Sequence, residues 1–278
     1  MFTLVAGTGY TGRRVLEQLP VDQSVGLSRS TIDTQHAFHR FDFDAPTSLP
    51  FDLAGTYAVL YTCPPDGEDD ARLQRFLALL NPGPARIVYI STTGVYGDRK
   101  GAVVSEDAEV DPGNHMARAR IAAESVLTKF AVDSGCDLVV LRAPGIYGPG
   151  RLPVQRISEG GSFLEEADAS PGNRIHVDDL ASCCLAALDE TTPPGVYNVG
   201  DGDHRSSTWF AQEVARQARL PAPRLVSRAQ AEQEFSPVRL AFMTSSRVVD
   251  TTKMREVLGV TPRYADPTEG IEASLPGD

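Results

Sequence analysis

A glycine-rich segment near the start of the chain constrains its fold more than any other feature. The segment consists of Gly7, Thr8, Gly9, Tyr10, Thr11 and Gly12. Residues 2–6 form an apolar run that predicts a buried strand, and apolar side chains recur at helical spacing after the segment until Pro20. A strand, a glycine turn and a helix therefore follow one another in the order of a dinucleotide-binding βα unit.

Each glycine of this turn has its own physical purpose. Gly7 allows a tight turn, Gly9 lets the backbone approach phosphate groups without a Cβ in between, and Gly12 allows the helix to pack closely on the strand. The free N–H groups at the start of the helix would face the anion. We therefore predict that residues 7–12 hold the pyrophosphate of a dinucleotide. The competing interpretation is a turn that serves only packing.

The composition indicates an ordinary apolar core and no broad basic surface. A chain of 278 residues buries roughly three quarters of its unfolded surface, so it needs no metal or disulfide for stability. The formal net charge of −11 argues against partners such as nucleic acid or an anionic membrane. The four cysteines show no zinc-site spacing. The first strand starts too early for a signal peptide, and no apolar run is long enough to cross a membrane, so we expect a cytoplasmic protein.

The residues after the predicted second strand bear on which dinucleotide is bound. Many dinucleotide folds carry an acid there that holds the adenosine ribose, whereas this chain has Arg29 between two serines and no carboxylate until Asp33. A guanidinium can bind a 2′-phosphate bidentately, and a carboxylate would repel it. We therefore predict NADP(H) in preference to NAD(H), with NAD as the second possibility. A surface role for Arg29 is the alternative.

Two further strand ends supply candidates for cofactor contact. Residues 39–43 predict a third strand with Asp42 at its end, where the carboxylate could accept from the adenine amino group or cap the next turn. A fourth predicted strand ends at Thr62. Ligands of open α/β sheets lie beyond the carboxyl ends of the strands. We therefore expect Thr62, Cys63 and Pro64 to border the cofactor.

Four motifs carry a resemblance to a known family. The glycine turn has tyrosine at its fourth position, and the predicted strand at residues 86–91 runs into TTGVYGD. The segments RIHVDDL at residues 174–180 and YNVG at residues 197–200 follow. In this order and spacing, the chain resembles the extended short-chain dehydrogenase/reductases, also described as the NAD(P)-dependent epimerase/dehydratase family.

The resemblance implies a Rossmann-type, doubly wound parallel α/β sheet with a small C-terminal substrate lobe. Residues 1–150 and 174–200 would form the dinucleotide-binding domain, and residues 151–173 and 201–278 the lobe. The implied function is an NAD(P)-binding oxidoreductase acting on a small molecule that the sequence does not identify. A non-catalytic NADP(H)-binding sensor or regulatory protein stays open as the alternative, as does a homodimer.

The usual proton-transfer pair of the family is missing from its expected positions. The resemblance implies that Thr92 binds the reacting oxygen and that a helical Tyr-x-x-x-Lys follows, but Met116 and Arg120 occupy those two positions. Met116 has no exchangeable proton, whereas Arg120 can still donate to the ribose hydroxyls. The resemblance also implies that the loop from Pro144 lines the nicotinamide. We name Tyr147 in this loop as a substitute proton donor, with packing as its competing role.

Several other residues invite assignments that a simpler role explains. Tyr96 and Lys100 have the spacing of the missing pair but lie in a glycine-flanked loop. Arg151 and Arg156 could bind an acidic substrate, although solvated arginines are the simpler interpretation. We expect Asp178 to cap the helix that follows it, which removes the need for a catalytic role.

Overall fold

A computed structural model describes residues 1–111 and 113–276 of the chain. Its strands are β1 (Phe2–Ala6), β2 (Ser24–Ser28), β3 (Ala37–Arg40), β4 (Tyr57–Tyr61), β5 (Arg86–Thr92), β6 (Val103–Val104), β7 (Asp137–Ala143), β8 (Gly145–Tyr147), β9 (Ser162–Leu164), β10 (Arg174–His176), β11 (Gly195–Asn198), β12 (Arg224–Val226) and β13 (Val248–Val249). Its α-helices are α1 (Tyr10–Leu16), α2 (Ala71–Ala78), α3 (His115–Ser134), α4 (Val154–Ser158), α5 (Val177–Leu188), α6 (Ser207–Gln217), α7 (Arg228–Glu234), α8 (Pro237–Thr244), α9 (Thr252–Glu256) and α10 (Pro267–Ser274).

Seven parallel strands form the central sheet in the order β11-β7-β5-β4-β1-β2-β3. The chain builds outward from β1 in one direction through β2 and β3, and then returns to the other side of β1 with β4. The strand order therefore reverses between β1 and β4, and ligands of open α/β sheets bind beyond the carboxyl ends of the strands at such a point. This arrangement confirms the prediction of a doubly wound, Rossmann-type sheet.

The sheet is covered by helices on both faces. Neighbouring residues of a strand point to opposite faces, so Val5 packs in a core with α1 and α5, while Leu4 and Ala6 pack in a second core with α2 and α3. Strands buried on both faces need apolar residues almost throughout, which explains the continuous apolar run of β1. Within the described residues, no helix has the length and apolar character that crossing a bilayer requires.

Three short parallel strand pairs lie outside the central sheet. They join β8 to β10, β9 to β12, and β6 to β13. The pair of β9 and β12 connects two segments that the sequence analysis assigned to the smaller lobe. The domain boundaries themselves stay predictions, and residues 277–278 of the assigned lobe lie outside the described residues.

The helix ends follow their capping residues, with one correction. Gly135 adopts a left-handed conformation, with a φ of 71°, and ends α3, as glycine commonly does after the last turn of a helix. The prediction that Asp178 caps α5 is wrong, because the N-cap is His176, whose Nδ1 accepts from the Asp178 backbone N–H at 3.2 Å. The Asp178 carboxylate instead accepts from the Arg14 guanidinium of α1 at 2.5 Å. Asp178 therefore ties two helices together rather than capping one.

Candidate functional site

The glycine turn lies between β1 and α1, as predicted. Gly7 has a φ of +100°, which residues with a side chain rarely adopt. A Cβ at Gly12 would lie 2.0 Å from the Gly7 carbonyl oxygen, so no larger residue fits there. Gly9 differs from both, because its φ of −76° suits any residue and no heavy atom lies within 4 Å of the position of a Cβ. The open space at Gly9 is therefore available to a ligand.

The side chains of the turn anchor it to neighbouring segments. The Thr8 hydroxyl donates to the Leu27 carbonyl of β2 at 3.4 Å, and Thr11 is buried in the first turn of α1. The Tyr10 hydroxyl donates to the Pro149 carbonyl oxygen at 3.0 Å. These contacts hold the loop after β8 against the turn. The loop and the turn can therefore border the same site.

The residues after β4 lie directly against the turn. The Thr62 hydroxyl donates to the Gly7 carbonyl oxygen, and the Cys63 thiol lies 3.7 Å from the Ala6 carbonyl oxygen. Burial raises the pKa of Cys63 to about 12, so this thiol stays protonated at neutral pH and is no nucleophile. Pro64 is exposed at the rim, with its carbonyl oxygen accepting from Arg72 at 3.2 Å. The structure thus brings Thr62 and Cys63 to the turn.

The two candidates for the adenosine end have different surroundings. The Arg29 side chain is 69% exposed, and its nearest carboxylate is Asp44 at 3.7 Å, which also pairs with Arg72. Asp42 lies two residues beyond the end of β3, which stops at Arg40 and not at residue 43 as predicted. The Asp42 carboxylate accepts from the Asp44 backbone N–H at 2.9 Å. Asp42 therefore has the local turn role, while Arg29 projects into solvent.

Thr92 ends β5 beside the end of β7. It lies opposite Ala143 in the register of the two strands, so Pro144 follows at the same edge of the sheet. The Thr92 Oγ1 accepts from the Gly94 backbone N–H at 3.1 Å. A hydroxyl that accepts in this way still has its own proton to donate. Thr92 can therefore offer a hydrogen bond at the carboxyl edge of the sheet.

The two α3 residues at the positions where the resemblance implies tyrosine and lysine have different surroundings. Met116 is 50% exposed. The Arg120 Nη1 donates to the Tyr89 hydroxyl at 3.0 Å and to the Ile90 carbonyl oxygen at 2.9 Å, which holds this guanidinium against β5. Burial raises the pKa of Tyr89 to about 12, so its phenol stays neutral. Among the described residues, no hydrogen bond engages Nε or Nη2 of Arg120, which leaves those donors for a ligand.

Tyr147, the predicted substitute proton donor, lies in a buried aromatic cluster. Its ring packs edge-on against His176 and Phe210, with centroids 5.2 Å apart in both cases. A Cβ at Gly270 would lie 2.2 Å from the Tyr147 hydroxyl, so this hydroxyl faces α10 rather than Thr92. Burial raises the pKa of Tyr147 far above its usual range. The geometry favours the packing role that the sequence left open, and catalysis by Tyr147 stays untested.

A buried ion pair behind Thr92 was missed by the sequence analysis. The Arg142 Nη2 of β7 lies 2.8 Å from the Glu124 carboxylate of α3, and the two side chains are 7% and 12% exposed. The Ser91 hydroxyl of β5 donates to the same carboxylate at 2.5 Å, and Arg142 also donates to the Tyr96 hydroxyl at 3.0 Å. The sequence does contain a signal of this ion pair, because Arg142 is a single arginine within the largely apolar strand β7. The pair fixes α3 to the strands that end at the site.

Comparison with known proteins agrees with this architecture. Residues 71–200 match the NAD dependent epimerase/dehydratase family. The match covers slightly less than half of the chain, and this part resembles that family. The chain's uncharacterized relative y4nG from Sinorhizobium fredii is 27% identical over 211 residues, which cover 68% of this chain and 52% of y4nG. The chain thus spans about half the length of this relative.

Two solved structures extend the likeness over almost the whole chain. A functionally unknown conserved protein from Silicibacter pomeroyi DSS has a TM-score of 0.83 and 29% identity, with 98% of each chain covered. The UDP-glucuronic acid 4-epimerase from Bacillus cereus, solved in complex with NAD, has a TM-score of 0.75 and 18% identity, with 99% of this chain and 97% of that one covered. The second likeness shows the fold alone.

Proposed function

We propose that this chain is an oxidoreductase of the epimerase/dehydratase type that binds NADP(H) at its glycine turn. Gly9 carries the proposal. Neither its backbone conformation nor its packing requires glycine, so the reason for glycine at this position lies outside the folded chain. A phosphate group that approaches the backbone closely would require a residue without a Cβ. The Bacillus cereus neighbour, solved with NAD, supports the same class of ligand. Bound at this turn, the nicotinamide would supply or accept a hydride.

Each of the remaining candidate residues would contact a different part of the cofactor. The turn would hold the pyrophosphate, and the exposed guanidinium of Arg29 would reach the 2′-phosphate of the adenosine. Thr62 and Cys63 would border the middle of the cofactor, since they contact the turn. Arg120 contacts β5, and Pro144 follows the carboxyl end of β7. The nicotinamide would lie beyond the carboxyl ends of these two strands.

Thr92 would bind the reacting oxygen of the substrate. Its hydroxyl proton is available, and donation to a carbonyl oxygen would stabilise the charge that develops there during hydride transfer. Met116 cannot exchange a proton, so the chain lacks the acid/base step that the family tyrosine would provide. General acid–base catalysis typically contributes about 10²- to 10⁴-fold, so we propose slow turnover rather than none.

Substitution of Gly9 by alanine tests the cofactor site directly. We expect the Gly9→Ala variant to unfold at the same urea concentration as the unsubstituted chain, because a Cβ at this position contacts nothing. We expect its NADPH affinity to fall about 10- to 100-fold, which corresponds to about 1–3 kcal/mol of steric cost against the bound phosphates. Isothermal titration calorimetry measures the affinity. Gly83, which has no positive φ and where the heavy atom nearest to an added Cβ would lie 3.8 Å away, provides the control substitution. Equal NADPH affinity in both alanine variants would rule out the proposed site.

Substitution of Arg29 by alanine tests the preference between the two dinucleotides. We expect the unsubstituted chain to bind NADPH more tightly than NADH, and the Arg29→Ala variant to lose about 1.5–3 kcal/mol of NADPH binding, or about 10- to 100-fold. The NADH affinity should stay the same, because NADH has no 2′-phosphate. Both dissociation constants are measured for each protein. The prediction fails if NADH binds as tightly as NADPH or if the variant keeps the preference.

A further inference from the structure

Three arginine side chains converge on one residue of the C-terminal part of the chain. Arg156 of α4 donates from Nη2 to the Ser162 carbonyl oxygen at 3.1 Å, and Arg239 of α8 donates to the same oxygen. Arg224 of β12 donates from Nη1 to the Ser162 hydroxyl at 2.7 Å. Two guanidiniums that share one acceptor lie side by side, so their positive charges repel unless an anion compensates them.

The described residues supply only part of that compensation. Glu234 pairs with Arg224 through both carboxylate oxygens, at 2.7 Å each, and also accepts from the Ser162 hydroxyl at 3.1 Å. No described carboxylate lies within ion-pair distance of Arg156 or Arg239. Three guanidiniums against one carboxylate leave two positive charges in excess at this cluster.

Packing holds the two uncompensated guanidiniums in place. Arg156 lies over the Phe163 ring, 5.0 Å from its centroid, and Arg239 lies over the Phe235 ring at 3.4 Å. The Nε atoms of both arginines are buried and have no hydrogen-bond partner among the described residues. Burial also lowers the pKa of Arg156, since no neighbouring charge offsets the loss of water. These ring contacts hold the two guanidiniums close together, which favours binding of an anion between them.

We propose that Arg156, Arg224 and Arg239 form a binding site for a phosphate group. Guanidinium forks match phosphate oxygens in pairs, and a phosphate monoester carries a charge of about −1.5 to −2, which balances the two excess positive charges. A single carboxylate would leave one of them uncompensated. Free phosphate and the phosphate group of a sugar phosphate share this chemistry. The site requires no hydride transfer and no bound dinucleotide, so it is independent of the proposed function.

Calorimetric titration with inorganic phosphate at constant ionic strength tests the site in the full chain. We expect saturable binding that weakens at least about tenfold in the doubly substituted Arg156→Gln, Arg239→Gln variant, because two charge-assisted contacts of about 1.5–3 kcal/mol each are lost. Arg75→Gln on the exposed face of α2 removes the same type of charge elsewhere and should leave binding unchanged. Equal phosphate affinity in the double variant, or an equal loss in Arg75→Gln, would overturn the proposal.

Two further measurements make the outcome specific. The double Lys variant, Arg156→Lys with Arg239→Lys, keeps both positive charges but loses the paired donors of the guanidinium groups, so we expect a phosphate affinity between those of the unsubstituted chain and the double Gln variant. If the double Gln variant fails to fold, the affinity of the double Lys variant tests the site instead. Glucose 1-phosphate replaces inorganic phosphate in a parallel titration, and whichever of the two binds more tightly identifies the source of the phosphate. NADPH affinity measured on every variant separates this site from the glycine turn, since Gly9→Ala should leave phosphate binding at the arginines intact.

Discussion

The Thr92→Ala variant is expected to turn over substrate about 10²- to 10³-fold more slowly than the unsubstituted chain, because it loses the donor to the reacting oxygen. None of the described residues accepts from the Thr92 hydroxyl, whose Oγ1 accepts from the Gly94 N–H, and Met116 has no exchangeable proton to offer instead. NADPH affinity should be unchanged, since Thr92 lies at the end of β5 and not at the glycine turn. The loss should therefore appear in kcat.

The assay for this prediction starts from a panel of carbonyl compounds and nucleotide sugars. Each is mixed with NADPH, or with NADP, while absorbance at the reduced nicotinamide band is followed, and any compound that is turned over serves for the comparison. Thr92→Ser keeps the hydroxyl and the bond from Gly94, so it should retain most of the activity. Equal kcat in Thr92→Ala and Thr92→Ser would contradict the role of the hydroxyl. NADPH binding without turnover of any compound would instead support a non-catalytic sensor.

Local sequence determined the parts of the site that depend on the backbone. The turn conformation at Gly7 and the tight contact at Gly12 follow from residues within a few positions of each other, so the glycine spacing could predict them. The carboxyl ends of β4 and β5 were also predictable, because parallel strands of an α/β sheet end at one edge. Thr62 follows β4 and Thr92 ends β5 at that edge.

Contacts between distant segments could not be predicted in the same way. The helical pattern showed that Arg120 lies on α3 but not that its guanidinium reaches Tyr89, which is 31 residues away. The cap of α5 is similar, because His176 at the end of β10 accepts from the Asp178 N–H and takes the N-cap position, while the Asp178 carboxylate pairs with Arg14 on another helix. The arginines at Ser162 come from three elements spread over 80 residues. Pairing of this kind depends on packing that only the folded chain defines.

The Glu124→Ala variant is expected to lose about 3–5 kcal/mol of unfolding free energy, because it leaves the Arg142 guanidinium buried without its carboxylate. Burial by itself lowers the pKa of Arg142, but the bonds to Glu124 and Tyr96 raise it by more, so the pKa is raised overall and the guanidinium stays charged. The variant also removes the acceptor of the Ser91 hydroxyl. Urea denaturation followed by circular dichroism measures the loss.

The same helix provides a matched control. Lys129 and Asp133 form an exposed pair at 2.6 Å, with side chains 77% and 61% exposed, so Asp133→Ala should cost less than about 1 kcal/mol. A double-mutant cycle then isolates the buried pair: Arg142→Ala in the Glu124→Ala background should cost less than Arg142→Ala alone, because the charge it removes is already uncompensated. Additive losses would show that Glu124 and Arg142 contribute separately. A coupled loss would show that one ion pair joins α3 to the strand ends at which Thr92 lies.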